Sequence, residues 1–314
     1  MAITNQSIID TASTVYRSLF QEIFQGPPPG TYANFVQLIS TDSKVNEIDV
    51  LGAMPVIREW TSEKLFKDAR AYSVSATVKA FERSFRINRL NASLDRTGLI
   101  ADALRRFLSD TNGAIYDKLA HDALFDNLVG YDGVALFSAS HPHGPAGATQ
   151  SNTSSTAFSF AQHDAVMQAG MTLRDEESEP FGVSYDTLIV GPKLMKLAME
   201  VTQSNERLMA VANDGLEAGT RVAASTIPNV YGGGQMKLIV DPRLVGSRDD
   251  YYYYLDTSKS AKPIVMFEAR APEAVMQDQM SDEGRFLHDE LRFSVEADLA
   301  FAAGAWQVAF AGIL

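Results

Sequence analysis

Residues 71–90 read AYSVSATVKAFERSFRINRL, and they follow LGAMPVIREW at 51–60 across a charged stretch. Tyr72, Val74, Ala76, Val78 and Ala80 alternate with polar residues, the period of a strand with one buried face. The apolar phase then shifts to Phe81, Phe85 and Ile87, which predicts a bulge or a change of partner near Ala80–Phe81. No compact βαβ unit surrounds this ribbon, and a two-stranded ribbon is marginal in isolation. Its partner is therefore expected on another subunit, and assembly becomes the leading idea before any catalytic motif is sought.

The charge of the ribbon agrees with that idea. Between Arg58 and Arg89 there are eight basic and four acidic side chains, a local balance of +4 in a chain of net charge −12. The remainder therefore carries −16. A basic ribbon on an acidic body can dock on a neighbouring copy by charge complementarity. Trp60, Lys64, Lys67, Arg70, Arg83, Arg86 and Arg89 are the candidate intersubunit contacts. The acidic total argues against general nucleic-acid binding, which needs a positive surface.

The chain has 314 residues, 46% of them apolar, enough for a sizeable core and about two domains. It has no apolar run long enough for a transmembrane helix, and its N-terminus lacks the pattern of a secretory signal. Cysteine is absent, which removes disulfides, thiolate metal ligands and a cysteine nucleophile.

Ile8, Ile9, Ala12, Val15, Tyr16, Leu19 and Phe20 recur at helical spacing, so residues 1–25 read as an amphipathic helix or an extended arm. Gly26-Pro27-Pro28-Pro29-Gly30 ends it. The strongest helix starts near Asp95 or Thr97 and carries Leu99, Ala103 and Phe107 in one row and Ile100, Leu104 and Leu108 in the next. Ile115, Leu119 and Leu124 extend the stripe, for a rod of about 45 Å that Gly113 weakens enough to permit a kink. Leu104, Phe107 and Leu108 are expected to pack against C-terminal strands around Phe293 and Trp306. Further helices are predicted over 160–174 and 193–202, and strands over 187–190, 237–240, 251–255, 262–270 and within 285–314.

Few motifs suggest chemistry. Ser140-His141-Pro142-His143 has two histidines but no further ligand at a metal-site spacing. Ser140, His141 and Asp132 would be the members of a hydrolase site, yet no GxSxG elbow is present and Asp132-Gly133 is first a turn signal. Gly232-Gly233-Gly234 lacks the Lys-Ser/Thr of a phosphate loop. Tyr251 to Tyr254 could stack on bases, against which the acidic background counts. No catalytic, cofactor or metal residue is assigned.

Several short stretches, in order, resemble the Mu-like prophage major head subunit family. They are Leu51-Gly52, Pro55 and Arg58-Glu59-Trp60, then Phe81-Glu82 and Arg89, then Asp132-Gly133 with Leu136-Phe137-Ser138 and Ser140-His141-Pro142. Leu188-Ile189-Val190, Asn229-Val230-Tyr231, Val240-Asp241-Pro242-Arg243-Leu244, Tyr254-Leu255-Asp256, Lys262-Pro263-Ile264 and Gly304-x-Trp306-Gln307 continue the series. Met54 stands where an aromatic is often seen, and the terminal Gly-x-Gly-Trp pattern reads Ala303-Gly304-Ala305-Trp306.

The resemblance implies an α+β tailed-phage major capsid fold. Residues 1–48 would be the N-terminal arm, 49–93 the extended β-hairpin loop, 94–185 the peripheral domain with its spine helix, 186–262 the axial domain, and 263–314 the return to the peripheral domain. It implies self-assembly into hexamers and pentamers of an icosahedral shell around double-stranded DNA, inside a bacterial host's cytoplasm. The implied partners are further copies of the chain, separate scaffold, portal and decoration proteins, and packaged DNA held weakly, with no cofactor and no membrane. The rival readings are a nanocompartment shell of the same fold and the small hydrolase.

Overall fold

A computed structural model describes residues 5–51, 71–88, 99–143, 148–175, 179–211, 223–277, 282 and 289–314. The chain divides into two compact units, one built from 1–48, 74–128 and 264–302, the other from 49–73, 129–263 and 303–314.

The first unit rests on a four-stranded sheet. Its strands are β1 (Val36–Ser40), β4 (Lys79–Asn88), β13 (Ile264–Gln277) and β14 (Glu290–Ala303), in the order β1-β13-β14-β4. β1 runs parallel to β13, and β4 runs antiparallel to β14 with Phe85 opposite Phe293 and Ile87 opposite Leu291. The phase shift in the sequence marks a change of partner, and both partners lie within the chain, so the partner expected on another subunit is not what residues 71–88 pair with. β3 (Ala71–Thr77) pairs with β2 (Val45–Leu51), Val78 ends that strand, and β4 joins β14. Leu291, Phe293, Val295, Ala297 and Leu299 alternate along β14 and are all buried, so one face of the sheet is core.

Two helices cover that face. α1 (Asn5–Phe24) lays Tyr16 on Phe293, ring centroids 4.9 Å apart, and the Tyr16 hydroxyl donates to the Ser294 carbonyl at 2.8 Å. α2 (Leu99–Gly113) buries Leu104 and Leu108 completely and stacks Phe107 on Phe85 at 5.5 Å. The two helices are clipped together where Arg105 donates to Glu22 and the Asn112 amide donates to the Ile23 carbonyl.

The expected long helix is present but not uniform. At Ala114–Lys118 its hydrogen bonding widens to a π turn before α3 (Leu119–Phe125) resumes the α-helix. The wide turn presents Asp117 to the chain after the proline run: its Oδ1 accepts from the amides of Thr31 at 2.6 Å and Tyr32 at 3.0 Å. Gly30 makes this possible. Its φ is +128°, and a β-carbon there would lie 2.3 Å from the Asp117 carboxylate.

The second unit holds a five-stranded sheet in the order β11-β8-β12-β15-β7. The strands are β7 (Thr153–Ser154), β8 (Thr187–Val190), β11 (Lys237–Val240), β12 (Tyr252–Leu255) and β15 (Ala309–Gly312). β8 and β12 are buried on both faces, which explains why they read as continuous apolar or aromatic runs. Helices α4 (Phe160–Thr172) and α5 (Met195–Thr202) belong to this unit, α4 being N-capped by Ser159, whose hydroxyl accepts from the Gln162 amide. Short ladders pair β5 (His141–His143) with β6 (Ala148–Gln150), and β9 (Glu206–Val211) with β10 (Ala223–Pro228).

Tyr252, Tyr253 and Tyr254 are each at most 1% exposed, so none offers a ring for base stacking. Tyr254 instead meets His163 of α4, with 2.6 Å between its hydroxyl and Nδ1. Burial pushes the Tyr254 phenol well above its ordinary value, so it remains the donor. Burial also lowers the His163 imidazole from 6.5 to about 4, against a smaller upward pull from Asp164.

Phe107→Ala removes the ring between Phe85 and α2 and should cost about 3–5 kcal/mol in denaturant unfolding; an unchanged midpoint would exclude α2 as a core element. His163 has a folded pKa of about 4, below its unfolded value of 6.5, so the unfolded chain binds more protons between the two. Its contribution to stability is complete above that window and falls by roughly 3 kcal/mol as pH drops through it. His163→Gln should flatten this part of the pH–stability curve relative to the parent, and an equal slope in both proteins would refute the assignment.

Candidate functional site

The motif residues of the middle and end of the chain converge in the second unit. His141 has no exposed surface. Its Nδ1 lies 2.6 Å from Asp132 Oδ2, and its Nε2 lies 3.1 Å from Asn152 Oδ1. The ring is stacked on Trp306 at 4.1 Å with 4° between planes. Asp132 is placed by the turn at Gly133, where its Oδ1 also accepts from the Val134 amide. Trp306 is placed by Gly304, whose backbone lies so close to Lys262 that a β-carbon would sit 2.1 Å from that carbonyl oxygen.

Asn152 determines what this imidazole can do. Its Nδ2 faces the carbonyls of Leu136, Trp306 and Ala309 at 2.7–3.2 Å, and its Oδ1 accepts from the Ser138 amide. The amide therefore has one orientation, and the oxygen that faces His141 is an acceptor. Nε2 must donate to it. A general base for a serine needs that nitrogen's lone pair turned to the hydroxyl. Ser140 Oγ instead lies 3.4 Å from Ser138 Oγ. Asp132, His141 and Ser140 do not form a nucleophile relay here; Asp132, His141, Asn152 and Trp306 form a buried clasp that ties the turn at Gly133, β5 and the segment before β7 to the 3-10 turn Trp306–Val308 that precedes β15. Asn152 was not singled out from the sequence, where an isolated asparagine in a Ser/Thr-rich loop has no distinguishing signal. Among the described residues, no group of three or more histidine, aspartate or glutamate side chains converges as a metal site.

Of the candidate intersubunit residues, Trp60, Lys64, Lys67, Arg70 and Arg89 lie outside the described residues. Arg83 and Arg86 are on β4 with different surroundings. Arg83 turns to α2 of its own subunit, its guanidinium 5.6 Å from the Phe107 ring and 4.0 Å from Asp110. Arg86 points to the opposite face of the sheet with a side chain 73% exposed. Leu104, Phe107, Leu108 and Phe293 are buried in the first unit, whereas Trp306 lies in the second on His141.

The architecture belongs to the class of tailed-phage capsid subunits. A solved capsid chain of bacteriophage JBD30 matches 93% of this chain and 67% of its own at a TM-score of 0.51 and 15% identity. A chain of Microbacterium phage Oxtober96 matches 92% of both at 0.55 and 12% identity. The chain belongs to the family of Mu-like prophage major head subunits gpT, whose model matches residues 9–161 and 233–312. It is similar to the major capsid protein of Escherichia phage Mu, 20% identical over 98% of this chain and 74% of that protein.

The clasp yields a stability prediction. His141→Ala strands the buried Asp132 carboxylate and the Asn152 oxygen without their partner and should cost roughly 2–4 kcal/mol. Calorimetric melting of parent and variant measures it, and equal melting temperatures would show that the clasp contributes nothing.

Proposed function

We infer that this major capsid protein assembles with copies of itself, as hexamers and pentamers, into the icosahedral shell that encloses double-stranded DNA in a virion. The observation that carries the reading is the family match, which reaches residues of both structural units. Residues 1–48 act as the N-terminal arm, 49–93 as the extended loop over a neighbour, 94–185 as the peripheral domain with its spine helix, and 186–262 as the axial domain. Residues 263–314 return to the peripheral domain. The basic side chains Lys64, Lys67, Arg70 and Arg89 meet the acidic body of the adjacent copy.

The protein has no catalytic role in this reading; His141 serves the subunit's own architecture. The charge of −16 outside the loop region suits a shell wall that encloses DNA without adhering to it. Assembly takes place in the bacterial host's cytoplasm with separate scaffold, portal and decoration proteins. Among the described residues no helix is long and apolar enough to cross a membrane.

Negative-stain microscopy of the purified chain tests the reading. Closed shells, rings or tubes are expected, and uniform small particles under all conditions would count against it. Deleting Glu63–Arg70 should leave a folded, soluble subunit that assembles poorly. Normal shells from that deletion would remove the loop from the assembly contacts.

A further inference from the structure

The outer face of the four-stranded sheet carries an arrangement that the isolated subunit does not explain. Across the β4–β14 ladder, Arg86 stands directly opposite Arg292, Ser84 opposite Ser294, and Glu82 opposite Glu296. Like charges directly opposite each other on antiparallel strands are destabilising. The acidic pair is partly relieved, because Arg270 donates to Glu296 at 3.3 Å and to Asp298 at 3.2 Å. The basic pair has less. Among the described residues, Arg86 and Arg292 share one carboxylate, Glu290, at 3.4 and 3.7 Å. Each guanidinium has five N–H donors, so one distant carboxylate leaves most of that capacity to solvent or a partner.

The surface around the pair is shaped. Arg86, Arg292, Ser84, Ser294, Val275 and Met276 help line a concavity of about 580 Å³. The two serines form a shallow floor, their hydroxyl oxygens 3.2 Å apart. Val275 is 39% exposed, so the trough also offers apolar surface. One end is cationic, the middle is small and polar, and the far end is anionic.

We propose that this trough is a docking surface for a second copy of the same chain, with Arg86 and Arg292 receiving carboxylates from the neighbour's acidic surface. The proposal rests on the reading of the chain as a shell subunit. Charge complementarity selects the occupant. The chain outside residues 58–89 has a net charge of −16, so carboxylates are abundant on any neighbouring copy. A polyphosphate would meet Glu82, Glu296 and Glu290 beside the arginines and be repelled. A folded protein surface carrying both signs can satisfy both ends of the trough. Arginine suits the role because its planar fork binds carboxylates in two places at once. The proposal also separates two residues that sequence alone treats as a pair. Arg83 is engaged with Phe107 and Asp110 of its own subunit, and Arg86 is the one that faces outward.

The test compares the full-length parent with R86E/R292E and R86Q/R292Q, the second of which places no new negative charge beside Glu290. Circular dichroism and melting report folding, and light scattering with negative-stain microscopy reports assembly at low and high ionic strength. Both variants are expected to fold, to assemble roughly tenfold more slowly or worse at low salt, and to lose the parent's salt dependence. If R86E/R292E does not fold, R86Q/R292Q decides. Parental assembly rates in a folded variant would overturn the proposal, as would normal shells that fail only to take up a different protein, since the trough would then serve that partner. A parent that never forms shells would overturn the capsid reading itself, whereas failure of the trough alone leaves the parent's shells intact.

Discussion

The pairing of β4 with β14 is the contact on which the first unit depends. It joins segments about 210 positions apart and brings Phe85 opposite Phe293. Around those two rings gather Tyr16 from α1 and Phe107 from α2, so both helices, the sheet and the base of the ribbon share one aromatic cluster. Neither strand could hold the cluster alone. β4 is an edge strand with few buried residues, and its inward side chains are sequestered only because β14 supplies a fully apolar face beside them. The local sequence of residues 79–88 thus has its structure imposed by a distant one.

Much of the architecture was legible because its signals are periodic. The strand alternation of 72–80, its change of phase at Phe81, the helical rows of 99–108 and the buried runs at 187–190 and 252–255 each translate into elements at those positions. The change of phase was legible as an event but not as a choice between bulge and new partner, since the partner lies beyond residue 290. The π turn at 114–118 was hidden for a similar reason. Gly113 signals a weak point in the helix, but the widening serves Asp117 and its bonds to Thr31 and Tyr32, about 85 residues earlier.

The His141 cluster shows how one motif admits opposite readings. Ser, His and Asp within nine positions are the residue types of a hydrolase, and the resemblance to capsid subunits alone does not say why they occur. The answer lies in a residue without a signature. Asn152 has its amide held by three carbonyls and one backbone N–H, and so presents an acceptor where a base would need a hydroxyl. The same residue types that would perform catalysis in an open cleft here satisfy one another's hydrogen bonds out of contact with water. The outer trough is the reverse case. Its Arg86–Arg292 opposition depends on strand register, which no local pattern displays.

The two edges of the first unit's sheet bear on how such a protein avoids an unwanted kind of order. β1 accompanies β13 only from Ile264 to Glu268, and beyond that point no strand among the described residues pairs with β13 on that side. Pro272 sits in that stretch between Arg270 and Glu273 and withholds a backbone donor, while β4 lines the other edge with Lys79, Arg83 and Arg86. Both are devices that discourage one sheet from growing onto another. A protein made in many copies at high local concentration could otherwise polymerise without limit through its backbone. Blunted edges leave association to side-chain surfaces, whose geometry admits only certain angles between neighbours, and angles of that kind are what allow a growing lattice to curve and close.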